Sequence, residues 1–402
     1  MNPLLEGRPG LARVLAALDG EGEEARIVGG AVRDWLIGRG VRSDIDIATT
    51  ALPEEVTRRA GAAGLKAVPT GVEHGTVTVV AAGEPYEVTT LREDVETDGR
   101  RARVVFGRSW AHDAERRDFT MNALYLTRAG ELVDLVGGEA DAKAGRVRFI
   151  GDADVRIRED YLRILRLFRF HAAYGKGALD EAALAAAVRN REGLDRLSRE
   201  RVRAETMKLL VAPRAAETLE QMDAADLLEP VLGRAGDVKT FARLVEVEAA
   251  LGMAPDAVRR LGALAVRPGE DAEALREGLR LSNAEATRLA ALAGPAPTPG
   301  MCEKGQKAFL YRMGREAFQD RALIAFARSG APLDDEGWRA LAGLAAGWPI
   351  PVFPLKAADF IARGLQPGPA LGAALKRAEE AWIEAGFPMD AGALERIAAE
   401  AT

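Results

Sequence analysis

The 402-residue chain contains a single cysteine, Cys302, which rules out an internal disulfide and a cysteine-built zinc site. Histidine is almost as scarce. His74, His112 and His171 all lie in the first half, so histidine-dependent metal chemistry is excluded from the second. Long apolar runs are missing too. The longest uncharged stretch, Ala340 to Leu355, is interrupted by Pro349, Pro351 and Pro354, so no membrane span is expected. Met1 to Gly10 lacks a basic segment followed by an apolar one, so no secretory signal is expected, and a reducing, cytoplasmic setting follows. There is no excess of positive charge. With 55 Lys and Arg against 61 Asp and Glu, any grip on nucleic acid must come from local basic patches.

What remains is a folded composition, 48% hydrophobic and 29% charged, in a chain long enough for two or three domains. Residues 25–30, 44–49, 76–81 and 85–91 are rich in β-branched residues and read as strands, with a helix over AVRDWLIG between the first two. From about residue 152 the apolar positions fall at helical spacing in an Ala, Leu, Arg and Glu background. Proline marks joints at Ala212-Pro213, at Gly294 to Gly300 and at Trp348 to Pro354, and Arg92 to Ala111 reads as a long mobile loop.

Three constellations carry chemistry. In the first, the turn Gly29-Gly30 opens a helix bearing Arg33, and Asp44 and Asp46 follow on the next strand. Residues two apart on a strand share a face, so the two carboxylates project together while Ile45 and Ile47 point into the core. Such a pair suits Mg2+, whose remaining ligands are water and phosphate oxygens, and a glycine turn entering a helix suits a polyphosphate. Glu87, on a further strand, is a third carboxylate or simply a surface residue of an edge strand. The second constellation is RRDFTMNA at 116–123, in which Arg117 suits a phosphate and Asp118 and Asn122 suit ribose hydroxyls. In the third, Asp160, Arg163, Arg166 and Arg169 recur every three residues and would wind along one helix as a polar stripe. Its excess of arginine asks for an anion.

In this order the motifs GGAVRD with DID (29–46), RRDFTMNAL (116–124), ELVDLVGG (131–138), EDYLRILRLFRF (159–170) and LSRERVRAE (197–205) are recognisable. The chain from Arg26 to about Leu210 resembles the class II tRNA nucleotidyltransferases, the CCA-adding enzymes, and the similar bacterial poly(A) polymerases of the polymerase β-like superfamily. The resemblance implies an α+β fold. A catalytic head with a small mixed sheet would span 1–145, a helical nucleotide-recognition neck 146–212, and an elongated all-helical tRNA-binding body and tail 213–402.

It also implies roles. Asp44 and Asp46 would hold two Mg2+ ions, and Glu87 would assist the 3′ hydroxyl of the primer. Gly29, Gly30 and Arg33 would meet the triphosphate, Arg117, Asp118 and Asn122 the sugar and phosphate region, and Arg166 and Arg169 further phosphate oxygens. Asp160 and Arg163 would read the base of CTP or ATP. The acceptor would be the tRNA 3′ end. The loop at 92–111 takes the position of the family's element for switching from C to A addition.

Several departures and rivals stand beside this reading. The histidine count leaves no room for the histidine-aspartate phosphohydrolase domain of some relatives, and Ala357 and Phe360 depart from a tail motif otherwise similar over 354–372. A poly(A) polymerase shares the catalytic motifs, although Gly71 to Thr76 resembles the CCA-adding side. An enzyme adding only C or only A is a further alternative. A small-molecule nucleotidyltransferase fits the long helical remainder poorly, and a non-catalytic RNA-binding relative would have lost Asp44 or Asp46. Oligomeric state is not legible in the sequence.

Overall fold

A computed structural model describes residues 3–40, 44–94, 104–267 and 272–402. The chain forms two compact units, Met1–Val231 and Leu232–Thr402. In the first, strands β1 (Ala25–Val28), β2 (Asp46–Thr49), β3 (Lys66–Gly71), β4 (Thr76–Ala81) and β5 (Glu84–Thr90) belong to one sheet. A two-stranded ribbon, β6 (Arg92–Asp94) with β7 (Val104–Phe106), stands apart, and β8 (Leu124–Thr127) and β9 (Leu132–Asp134) complete the seven-stranded sheet in the order β3-β4-β5-β2-β1-β8-β9. Among the described residues, the β2–β5 pair alone is parallel.

Sequence pattern explains the central strands. β4 alternates, with Val77, Val79 and Ala81 buried, as expected of a strand with one face on the core. β1 and β2 bury Val28 and Ala48 against Tyr125, Ala123 and Leu91, and Ile27 and Ile47 are buried on the alternate positions. The helices Pro9–Leu18 and Pro53–Ala62 each begin with proline, whose fixed φ suits the first turn.

The expectation for 92–111 needs correcting. Residues 95–103 lie outside the described residues, but those flanking them are ordered elements. β6 and β7 pair antiparallel, and Trp110–Glu115 is a helix whose start is capped by the Ser109 hydroxyl accepting from the His112 N–H. The run Val104-Val105-Phe106 has the β-branched and aromatic character that favours pairing, which the charge-rich surroundings obscured.

The rest of the first unit is helical, with Ala153–Glu159, Leu162–Tyr174, Glu181–Arg189, Arg199–Leu210 and Ala215–Ala224 as its main helices. Here a second correction applies. The stripe from Asp160 to Arg169 does not lie on one helix, because the chain is extended at Asp160, which caps one helix before the next begins. The Asp160 side chain accepts from the Leu162 N–H at 3.1 Å, a local bond that competes with helix continuation.

The second unit contains no strand among its described residues. Its helices include Val238–Ala250, Ala257–Ala265 and Arg315–Ser329, and a later cluster packs Phe360, Leu371, Ala374, Trp382 and Ile397. Buried ion pairs run through the former set. Arg259 and Arg260 donate to the two oxygens of Glu248 at 2.7 and 2.8 Å, and Arg288 reaches Asp320 at 2.6 Å.

Candidate active site

The site begins at the end of β1. Gly29 has φ +75°, a conformation open to glycine at little cost, and turns the chain into the helix Gly30–Leu36. Its N–H is held by the Leu124 carbonyl of β8, so a ligand here would meet the amides of the following first helical turn, which have no intrahelical acceptor. Arg33 on this helix is buried and fully engaged. It donates to Asp34 at 2.8 Å, Asn122 Oδ1 at 2.6 Å and the Tyr174 hydroxyl at 2.6 Å. The guanidinium also stacks 3.8 Å above the Tyr174 ring.

Asp44 and Asp46 are exposed while Ile45 and Ile47 are buried, so the two carboxylates share the open face. Asp46 opens β2, and its register partner on β5 is Glu87, also exposed. Asp46 reaches solvent on one side, yet burial on the other, then Glu87 and Asp44, push its carboxyl up to about 6 against the opposing pull of Arg117. Asp44, Asp46 and Glu87 offer hard carboxylate oxygens, the donor type that Mg2+ takes. Among the described residues no group of three or more such side chains is already arranged around a single metal position. Water and substrate oxygens would therefore complete the shell.

Facing this acidic strip is an arginine-rich wall. Arg117 is positioned by Asp113, a buried carboxylate that also takes Arg116 and the Tyr125 hydroxyl. Burial raises the Asp113 pKa, but Arg117 and Arg116 outweigh it and hold the group below its usual range. Asp118 accepts from Arg166 at 2.8 and 2.5 Å, and from the Asn122 amide at 3.0 Å. Here again burial is outweighed, first by Arg166, and the carboxyl is lowered. Arg169 is tied to Glu205.

Asp160 and Arg163 stand at the helix break. Arg163 donates to Glu159 at 2.5 Å and to the Arg156 carbonyl at 2.7 Å. Asp160 Oδ2 accepts from Arg201 at 2.6 Å.

One cavity of about 660 Å³ joins these parts, a volume typical of ligand sites. Gly29, Gly30, Arg33, Asp46, Arg117, Asp118, Asn122, Asp160, Arg163, Arg166 and Arg169 line it, whereas Asp44 and Glu87 do not and belong to the strip beside Asp46. Sequence reasoning missed Arg201 and Lys208, which also line it, and the anchors Asp113 and Glu205. The motif at 197–205 was the available signal, but nothing in it shows that residue 201 meets residue 160. The lining itself carries seven cations (Arg33, Arg117, Arg163, Arg166, Arg169, Arg201, Lys208) against three carboxylates (Asp46, Asp118, Asp160), while Asp34, Asp113, Glu159 and Glu205 pair with Arg33, Arg117, Arg163 and Arg169 from outside the lining, so the face turned to the cavity is the part suited to a polyanion.

Comparison with known proteins agrees with this geometry. Residues 25–148 match the model of the poly A polymerase head domain, and 178–234 that of the probable RNA- and SrmB-binding site of polymerase A. A mitochondrial CCA tRNA nucleotidyltransferase 1 of Danio rerio is 36% identical over 91% of this chain and 85% of its own length. The crystal structure of the Bacillus stearothermophilus CCA-adding enzyme in complex with CTP superimposes with a TM-score of 0.75 at 31% identity, covering 96% of this chain and 94% of that one. The Thermotoga maritima CCA-adding enzyme complexed with tRNA_CCA shares the fold, with a TM-score of 0.70 at 18% identity over 100% of this chain and 97% of that one. A glycine turn, an acidic strip and an arginine wall, set in a sequence and fold alike over almost the whole length, place the chain in the family of CCA-adding tRNA nucleotidyltransferases and poly(A) polymerases.

Proposed function

We propose that this protein is a template-independent RNA nucleotidyltransferase that adds C, C and A to tRNA 3′ ends from CTP and ATP with release of pyrophosphate. The observation that carries the reading is the single cavity in which the glycine turn, Asp46, the phosphate-suited arginines and the Asp160–Arg163 pair meet. Membership of the family, with CTP in a relative's structure, supports it. We assign 1–145 to the catalytic head, 146–212 to nucleotide recognition and 213–402 to tRNA binding.

The triphosphate lies against the Gly29-Gly30 turn and the wall of Arg117, Arg166 and Arg169, which neutralises charge and holds the α-phosphate for in-line attack. Asp118 fixes Arg166, and together with Asn122 it offers polar contacts to the sugar. Asp44 and Asp46 would hold Mg2+, which when bound activates the attacking hydroxyl and stabilises the leaving pyrophosphate. Glu87, in register with Asp46, accepts from the primer 3′ hydroxyl and orients it. Asp160 accepts the exocyclic amine of cytosine or adenine while Arg163 donates to the neighbouring ring nitrogen. Uracil and guanine present a carbonyl oxygen to the same carboxylate, and the two sets of lone pairs repel. One site thus accepts two bases without a nucleic-acid template.

No helix among the described residues is long and apolar enough to cross a membrane. The exposed thiol of Cys302 suits a reducing compartment, and we assign the protein to the cytoplasm.

The test supplies tRNA transcripts ending before the tail, after one C and after two, with each nucleoside triphosphate separately. The proposal expects C on the first two, A on the third, then arrest. The poly A polymerase description of the matched head domain favours one rival. A continuing A ladder on unrelated RNA would establish that rival instead.

A further inference from the structure

The base-reading carboxylate sits on a non-helical residue between two helices, a place where backbone alone does not fix orientation. We propose that the segment 191–201 is the brace that orients it, with Arg201 acting on Asp160 directly and Gly193 acting through Tyr161. The inference rests on the reading of Asp160 given above.

Three contacts reach the break from this one segment. Arg201, on the helix Arg199–Leu210, donates from Nη2 to Asp160 Oδ2 at 2.6 Å, while Oδ1 takes the Leu162 N–H at 3.1 Å. A carboxylate oxygen has room for two hydrogen bonds and each takes one here, so the clamp fixes the plane of the carboxylate and leaves each oxygen one further lone pair for a ligand donor. Arg201 also lines the cavity. Next in the chain after Asp160 is Tyr161, and Arg196 lies 5.6 Å from the centre of its ring. The ring covers Gly193 so closely that a Cβ there would fall 1.8 Å from Cδ1 and 2.2 Å from Cγ. Those atoms belong to the body of the ring, not to a flexible end. Gly193 is buried in the 3-10 turn Arg191–Arg196, and its backbone does not adopt a positive φ. Space for Tyr161, and not backbone conformation, is what requires glycine there.

Arg201 is a positioning residue by this argument, since it acts through Asp160. Its pair is solvated, with side chains 42% and 29% exposed, so it contributes little to stability. Its loss should appear in base choice and not in melting temperature.

The experiment measures kcat/KM for CTP, ATP, UTP and GTP on defined tRNA transcripts. For Arg201→Met the preference for CTP over UTP should fall roughly tenfold, the scale of one charge-assisted hydrogen bond, with the melting temperature nearly unchanged. Arg201→Lys should recover part of it. Gly193→Ala should lower the same ratio, and adding Tyr161→Ala should restore it by removing the clash. Should Gly193→Ala fail to fold by circular dichroism, Arg201→Met decides alone. Unchanged selectivity in Arg201→Met, with Asp160→Asn relaxed, overturns the brace and leaves the base-reading pair standing. Unchanged selectivity in Asp160→Asn overturns both.

Discussion

Two regions of this molecule are dense in arginine and carboxylate, and they have opposite characters. Around Glu248 in the second unit the charges are balanced and dry: Arg259, Arg260 and Glu248 are 5%, 7% and 1% exposed, and each cation finds a carboxylate. Around the cavity of the first unit the arginines also have carboxylate partners, among them Arg117 with Asp113, Arg166 with Asp118 and Arg201 with Asp160, but they line an opening that water reaches, and Arg166 and Arg201 are 31% and 42% exposed. The count of charges therefore does not identify a site. Cations lining an opening do, because only there can an outside anion reach them and join or replace their internal partners.

The comparison can be tested from its largest expected effect downward. Asp46→Ala removes a carboxylate that the proposal places on the metal, so incorporation of any nucleotide should fall by about a thousandfold or more, with the circular dichroism spectrum retained. If turnover survives, the acidic strip is not the reaction centre. Glu248→Ala removes the carboxylate shared by two buried guanidinium groups and should destabilise the second unit by about 3 kcal/mol, read by urea unfolding. A small loss there would mean that the network is not the dry strut described. Arg166→Ala takes a cation from the wall and a partner from Asp118, and should cut kcat/KM for CTP by roughly 10- to 100-fold.

The smallest effect probes the hidden side of that wall. His171 lies on the same helix as Arg166 but is buried, its Nε2 without a partner, and burial followed by Arg214 pushes its pKa down to about 4. The folded state holds the ring neutral, whereas the unfolded chain protonates it near 6.5. Its contribution is thus fully present above about pH 6.5 and is lost as pH falls toward 4, by on the order of 1 kcal/mol per unit. His171→Gln should flatten that slope in unfolding titrations. An unaltered slope would assign the acid sensitivity to other groups.

Much of this site is legible in one dimension because its parts are short local devices. A glycine turn, a two-residue alternation on a strand and a helical run of arginines each announce their geometry through spacing, and β1, β2, β4 and β5 were readable for the same reason. Elements that depend on distant partners were not. β3 carries Pro69 and Gly71 at a sheet edge, and β8 and β9 are four- and three-residue strands held by the sheet around them. The break at Asp160 was hidden because the three-residue polar periodicity runs without interruption from Asp160 to Arg169. Asp113, Arg201 and Glu205 join the site only through folding, Arg201 and Asp160 being 41 residues apart.

The parallel pairing of β2 with β5 has a consequence for how this architecture tolerates change. Because Asp46 and Glu87 are opposite each other in a hydrogen-bonded ladder, their separation is dictated by the ladder and not by the chain of residues 47–86 that connects them. Insertions or deletions in that connection, even ones that rebuild β3 entirely, leave the spacing of the two acids untouched. A slip of a single rung would bring Ile47 to the place of Asp46. The enzyme can accordingly vary in length over this stretch while the distance on which its chemistry depends is inherited unchanged.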